Sequence, residues 1–265
     1  MFARQFGLLA YNRFVPTPFY HLSVAEELLR QAVLPASIQH FLFQHKGAFL
    51  LGNTAPDVQV ISGQPRASTH FFDLPIRPGD RPAWVRCLSD YPSLANKPEQ
   101  TDARLAFITG YLCHLQADWF WIKEIFVPAF GLQARWGAFP QRLYLHNVLR
   151  AYLDREIIPA LRNGTNTHLQ ATKPINWLPF VEDGFLRQWR DFLSGQLQPG
   201  ARTLTVDVFA RRQGVDPQEF QGLLESEERM EIEIFHRIPR SRVESYRQKL
   251  VESNLQLIQS YLGKI

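Results

Sequence analysis

The chain has 265 residues, 45% of them hydrophobic, which suits one large folded domain or two small ones and argues against a disordered chain. Its 29 basic and 25 acidic residues leave a formal charge of +4 with no Lys/Arg block, so no specific nucleic-acid partner is expected. Two cysteines, Cys87 and Cys113, and no CxxC argue against a disulfide framework and fit a reduced, cytoplasmic protein.

The opening "MFARQFGLLAYNRF" has an apolar stretch of only about five residues, short of the roughly 7–15 of a signal peptide. Ser23 to Glu26 fits a capping box, and "VAEELLRQAVL" follows with apolar residues at helical spacing. "SIQHFLFQH" (Ser37–His45) reads as a short second helix. Residues 51–82 carry Gly, Pro, Asn and Asp at close intervals and read as a long ordered loop. A loop of that length inside a compact domain needs a reason, and metal coordination would supply one. Thr101 or Asp102 caps a long helix that runs to about Phe126, with Pro128 ending it.

Pro140 starts another helix, "QRLYLHNVLRAYLDREIIPAL", and residues 162–177 read as a second loop. "TLTVDVF" (Thr203–Phe209) is the best strand candidate in a chain with little period-2 alternation. The last third offers three amphipathic segments, "GFLRQWRDFL", "PQEFQGLLESEERMEIEIFHRI" and "SRVESYRQKLVESNLQLIQSYL". No apolar run approaches the ~18–20 residues of a membrane span. The expected class is all-α. One helical domain would cover 1–265, with a core at about 15–160 and C-terminal helices at about 178–265 packed on it.

Within the apolar stretch "AFITGYLCHLQADWFWIKEIF", His114 and Asp118 stand at i and i+4 on one helical face. An ionised carboxylate buried there without a partner costs several kcal/mol, roughly, so Asp118 needs a histidine, an arginine or a metal. Three more ligand-type residues sit in apolar or turn sequence: His21 in "PFYHLS", Asp57 in "GNTAPD" and His70 in "STHFFD". Each alone is more often structural: an Asp capping a turn, a satisfied core His, a His near a helix start.

The series His21, "LLGNTAPDVQ", "STHFFD" and "GYLCHLQADWFW" resembles the bacterial zinc-dependent phospholipase C family, all-helical and distantly akin to S1/P1-type zinc nucleases. The matching blocks fall in roughly the first 125 residues. The resemblance implies a metal held by Asp57, His70, His114 and Asp118, with His21 serving a neighbouring metal that Asp118 bridges. It implies Zn²⁺, for which mixed His/carboxylate ligation is apt, with Asn53, Thr69 or Asp73 orienting the ligands. For Asp73 the preferred reading is a turn residue before "LPIRPGD".

Two features depart from the family pattern. The secreted enzymes use three zinc ions, one held partly by an N-terminal tryptophan amine, whereas this chain begins "MFARQF". His146 matches a further histidine ligand, but the glutamate expected one turn later is Arg150. One or two zinc ions are therefore expected rather than three. Arg150 then either grips phosphate in place of a metal or pairs with Asp154 on a wet helix face.

The function expected from the resemblance is metal-dependent phosphoester hydrolysis on a small phosphoester or phospholipid. Asp57 would handle the attacking water and Arg150 the phosphate. The rival is a catalytically silent helical protein that keeps the metal as a structural staple or binds a partner.

Overall fold

Thr17 and Pro18 start the first helix. Pro18 has φ pre-set for a first helical turn, and Thr17 Oγ1 accepts from the Tyr20 N–H at 3.1 Å. Helix α1 therefore runs Pro18–Leu29, and Ser23 lies mid-helix with its hydroxyl donating to the Tyr20 carbonyl at 2.8 Å. The capping box expected at Ser23 is displaced because a stronger start signal stands one and a half turns earlier. The computed structural model describes residues 14–263, so the opening segment, apart from Phe14, lies outside the described residues.

Helices α2 (Ala36–Gln44) and α3 (Lys46–Gly52) follow. The 51–82 segment is ordered, and about half of it is wound into short turns: a 3₁₀ turn at Ala55–Val58, α4 at Gln59–Ser62 and α5 at Arg66–His70. Helix α6 (Ala83–Asp90) and two 3₁₀ turns lead to α7 (Asp102–Trp121). Thr101 caps α7, accepting from the Arg104 N–H at 3.3 Å. A π turn at Ile122–Phe126 carries the chain into α8 (Val127–Ala129), where Pro128 ends the run. Helix α9 (Phe139–Leu161) holds Pro140 in its first turn.

Helix α10 (Thr165–Ala171) occupies the segment expected as a second loop, burying Thr165 and Leu169 at i and i+4. Helices α11 (Asp183–Gln196), α12 (Thr205–Gln213), α13 (Pro217–Glu225), α14 (Glu227–Arg229), a π turn at Met230–Phe235 and α15 (Arg240–Leu262) complete the chain. "TLTVDVF" is not a strand. It forms the start of α12, which packs on α9 through buried Phe209 and Ala210, so tertiary contact overrides its β-branched character. No strand occurs among the described residues, and the fold is all-α. No described helix is long and apolar enough to cross a membrane.

Helix α7 is the centre of the molecule, buried at nearly every position. It packs against α3 on one side and against α15, α6 and α1 elsewhere. The α3–α7 crossing is a backbone contact. A Cβ on Gly52 would lie 2.0 Å from the Phe107 carbonyl oxygen, and one on Gly110 would lie 2.2 Å from that of Phe49. Only glycine permits this approach, which sets the end of α3 and the following Asn53–Asp57 turn directly against α7.

Candidate metal centre

Four separate elements deliver the ligand-type side chains. His21 comes from α1, Asp57 from the 3₁₀ turn after α3, His70 from the last position of α5, and His114 and Asp118 from α7. Each of the five is 0–1% exposed. His70 Nε2 lies 3.4 Å from Asp57 Oδ1 and 3.4 Å from Asp118 Oδ2, and His114 Nε2 lies 3.7 Å from Asp118 Oδ2. His21 Nε2 stands 3.3 Å from Asp118 Oδ1, with its ring stacked on His114 at 3.8 Å.

The tautomers of two of these rings follow from their outer contacts. His114 Nδ1 is 2.8 Å from the Asn53 carbonyl oxygen, which can only accept, so Nδ1 carries the proton. The Thr69 hydroxyl donates to the Arg66 carbonyl at 3.2 Å, so its oxygen accepts from His70 Nδ1 at 3.0 Å. Both rings then aim the bare Nε2 lone pair inward. Burial lowers the pKa of His21 to about 4 and of His114 to about 3, and pushes that of His70 well below its ordinary value. All three are neutral at pH 7, the state in which an imidazole binds a metal.

Imidazole lone pairs and carboxylate oxygens face one another across the cluster. Nε2 of His21, His70 and His114 has no hydrogen-bond partner among the described residues, although each points at carboxylate oxygen. Two sets of atoms, from His21, His114 and Asp118 and from Asp57, His70 and His114, each lie within 4.8 Å of one another. Tetrahedral zinc with bonds near 2.0–2.1 Å sets its ligand atoms about 3.3 Å apart. Separations of 3.4 and 3.4 Å fit that edge, and 3.7 Å is within a small adjustment of it. The residues present therefore fit a divalent ion with N/O preference.

The surrounding shell is partly as the sequence suggested. Thr69 orients His70, and Asn53 acts on His114 through its backbone carbonyl while its side chain donates to the Phe49 carbonyl at 2.9 Å. Asp73 is exposed in the turn after Phe72. Phe71, next to His70, takes φ +59°, a conformation rare outside glycine, and its ring meets Tyr91, Tyr111 and Phe180 edge-on. Phe72 packs edge-on to Trp119 at 5.5 Å. Among the other histidines, His40, His168 and His236 are exposed and His45 is half-buried.

His146 and Arg150 take other places. His146 Nε2 accepts from Trp121 Nε1 at 3.0 Å, and its ring sits against Phe126 and Phe130. Neither candidate set includes it. Arg150 is on no wet face: it is 2% exposed, as is Asp154 at 1%. Asp154 accepts from the Thr17 and Thr205 hydroxyls and makes no ion pair with Arg150. Arg150 bonds Asn147 at 3.0 Å, lies 4.5 Å over the Phe209 ring, and lines a small apolar cavity with Phe19, Val60, Trp189 and Arg212. Burial and the nearby Arg212 lower its pKa to about 9, which leaves it charged at pH 7.

The structure adds one charged group that the motifs did not mark. Arg66 is buried on α5, with Nη2 donating to Asp118 Oδ2 at 2.7 Å and the guanidinium 4.5 Å over the Phe72 ring. The signal was present, since Arg66 stands one helical turn before His70 in "RASTH".

Fold and cluster together define a helical protein with a buried His/Asp centre suited to a metal. Residues 20–121 match the family model described as zinc dependent phospholipase C. That matched segment carries His21, Asp57, His70, His114 and Asp118. His146 and Arg150 lie beyond the match. No curated protein and no solved structure matches the chain.

Proposed function

We propose that the protein is a zinc-dependent phosphoester hydrolase of the phospholipase C type, with Asp57, His70, His114 and Asp118 as metal ligands and His21 beside them. The observation that carries this reading is the convergence of three unpartnered, buried Nε2 atoms on two carboxylates. When bound there, Zn²⁺ supplies Lewis acidity toward a phosphoryl oxygen and a more acidic attacking water. Asp57 orients that water and takes its proton. The Asn53 carbonyl and Thr69 hydroxyl hold the His114 and His70 rings in the ligating tautomer. Arg150, whose Nε has no hydrogen-bond partner, donates to the phosphoryl oxygen. The apolar cavity beside Arg150 receives a hydrocarbon part of the substrate, which favours a phospholipid or another amphiphilic phosphodiester over a wholly polar one.

The test is turnover of a water-soluble aryl phosphodiester and of phosphatidylcholine vesicles by the full chain, before and after chelation and zinc return. Activity lost on chelation and regained with zinc is expected. Asp57→Asn should lower kcat at least about 10²-fold, the usual scale for a positioned acid–base group. The combined variant His114→Ala/Asp118→Ala should purify without zinc by elemental analysis. Full burial of all five residues favours a second reading, a structural zinc in a catalytically silent protein. Zinc-loaded protein that turns over neither substrate would decide for it.

A further inference from the structure

The two candidate ligand sets both need His114, and His114 has one nitrogen to give. Its Nδ1 proton is committed to the Asn53 carbonyl, which leaves only Nε2. If His114 joins Asp57 and His70, with Asp118 Oδ2 as the fourth ligand, one ion has four protein ligands. A second ion between His21 Nε2 and Asp118 Oδ1 would then have two. Charge points the same way. Asp57 and Asp118 balance one divalent ion, and the buried Arg66, held on Asp118 at 2.7 Å, already adds a further positive charge. A second divalent ion would enter this buried space with no additional carboxylate in either set to offset it.

We infer that the centre takes a single divalent ion, and that Arg66, a positioning residue with Nη2 on Asp118 Oδ2, supplies the positive charge that a second ion would otherwise bring. This rests on the proposed reading that the cluster binds metal. His21 then stacks on His114 and shapes the site without being required for the ion.

The test is zinc stoichiometry of the full chain, by elemental analysis after dialysis and by titration calorimetry with zinc sulfate, with circular dichroism to verify folding. Wild type is expected to saturate at one zinc per chain. His21→Ala should keep that zinc, with affinity within about tenfold, whereas His70→Ala should lose it. Arg66→Met should admit a second, weaker zinc, and Arg66→Lys should hold the count at one. Two zinc per wild-type chain, zinc lost with His21→Ala, or a folded Arg66→Met that still binds one would each overturn the inference. If Arg66→Met does not fold, the wild-type and His21→Ala counts decide it. Metal-free wild type that stays metal-free in excess zinc would instead overturn the metal reading itself, so the two failures are distinguishable.

Discussion

At the scale of single residues, burial sets which protonation state each side chain can hold. Asp154 shows this away from the His/Asp cluster. Burial raises its pKa to about 7, against hydrogen bonds from Thr17 and Thr205 and the charge of Arg150. A carboxyl whose folded pKa lies above its ordinary value of about 3.9 favours folding while it is protonated. That contribution is fully present below about pH 4 and is lost as pH rises through about 7. Asp154→Asn keeps a neutral acceptor there. Urea denaturation of both proteins should show the variant gaining on wild type between pH 4 and pH 8, by on the order of 4 kcal/mol at roughly 1.4 kcal/mol per pH interval of one. A pH-independent difference would show that the folded and unfolded chains bind the Asp154 proton equally, so that burial does not raise its pKa. The histidine cluster has the opposite sign. His21 and His114 are held neutral, so protons compete for them mainly in the unfolded chain, and their contribution to stability falls as pH drops from about 6.5 toward 4.

At the scale of elements, the centre depends on the α3–α7 crossing. Gly52 and Gly110 bring the backbones into contact, and this contact puts the Asn53 carbonyl on His114 Nδ1. Gly110→Ala would force a methyl group to within 2.2 Å of the Phe49 carbonyl oxygen and 2.8 Å of Asn53 Nδ2. Thermal denaturation should show a loss of about 1–3 kcal/mol, and zinc affinity should fall with it as the Asn53 carbonyl moves. Gly195→Ala in α11 is the control, because nothing lies within 4 Å of its added methyl group. Its stability should stay level or rise by up to about 1 kcal/mol. Equal losses from both variants would mean that helix glycine content, and not the crossing, governs stability.

At the scale of the whole molecule, α15 ties together α1 and α7, the helices that carry His21, His114 and Asp118. Tyr246 donates to the Ala117 carbonyl, next to Asp118, at 3.1 Å and stands edge-on to Trp121 at 5.2 Å. Arg247 reaches Glu27 at 2.7 Å and Ser23 at 3.0 Å. We propose on this basis that 1–265 is one cooperative domain in which the C-terminal helices belong to the core of the site. Calorimetry should show one unfolding transition, and a chain ending at Pro239 should lose both cooperative unfolding and bound zinc. A truncated chain that retains both would make α15 an appendage. Tyr246→Phe isolates the hydrogen bond, with an expected cost of about 1 kcal/mol.

The sequence by itself determined what is local. Thr101 and Pro140 marked the starts of α7 and α9, because caps and prolines act within one turn of where they stand, whereas α7 itself gives way to a π turn at Ile122, before Pro128. The i,i+4 spacing put His114 and Asp118 on one face whatever surrounds it. Local signals also misled where packing outweighed them, at Ser23 in mid-helix, at the helical 203–209 segment and at α10. What only the tertiary structure decided is which distant residues meet. His21, Asp57 and His70 join α7 from three other elements, Arg66 reaches Asp118, and His146 turns to Trp121 and away from the cluster. Those outcomes depend on where helices cross and how closely, and a glycine-to-backbone contact between residues tens of positions apart leaves no periodic trace in the chain.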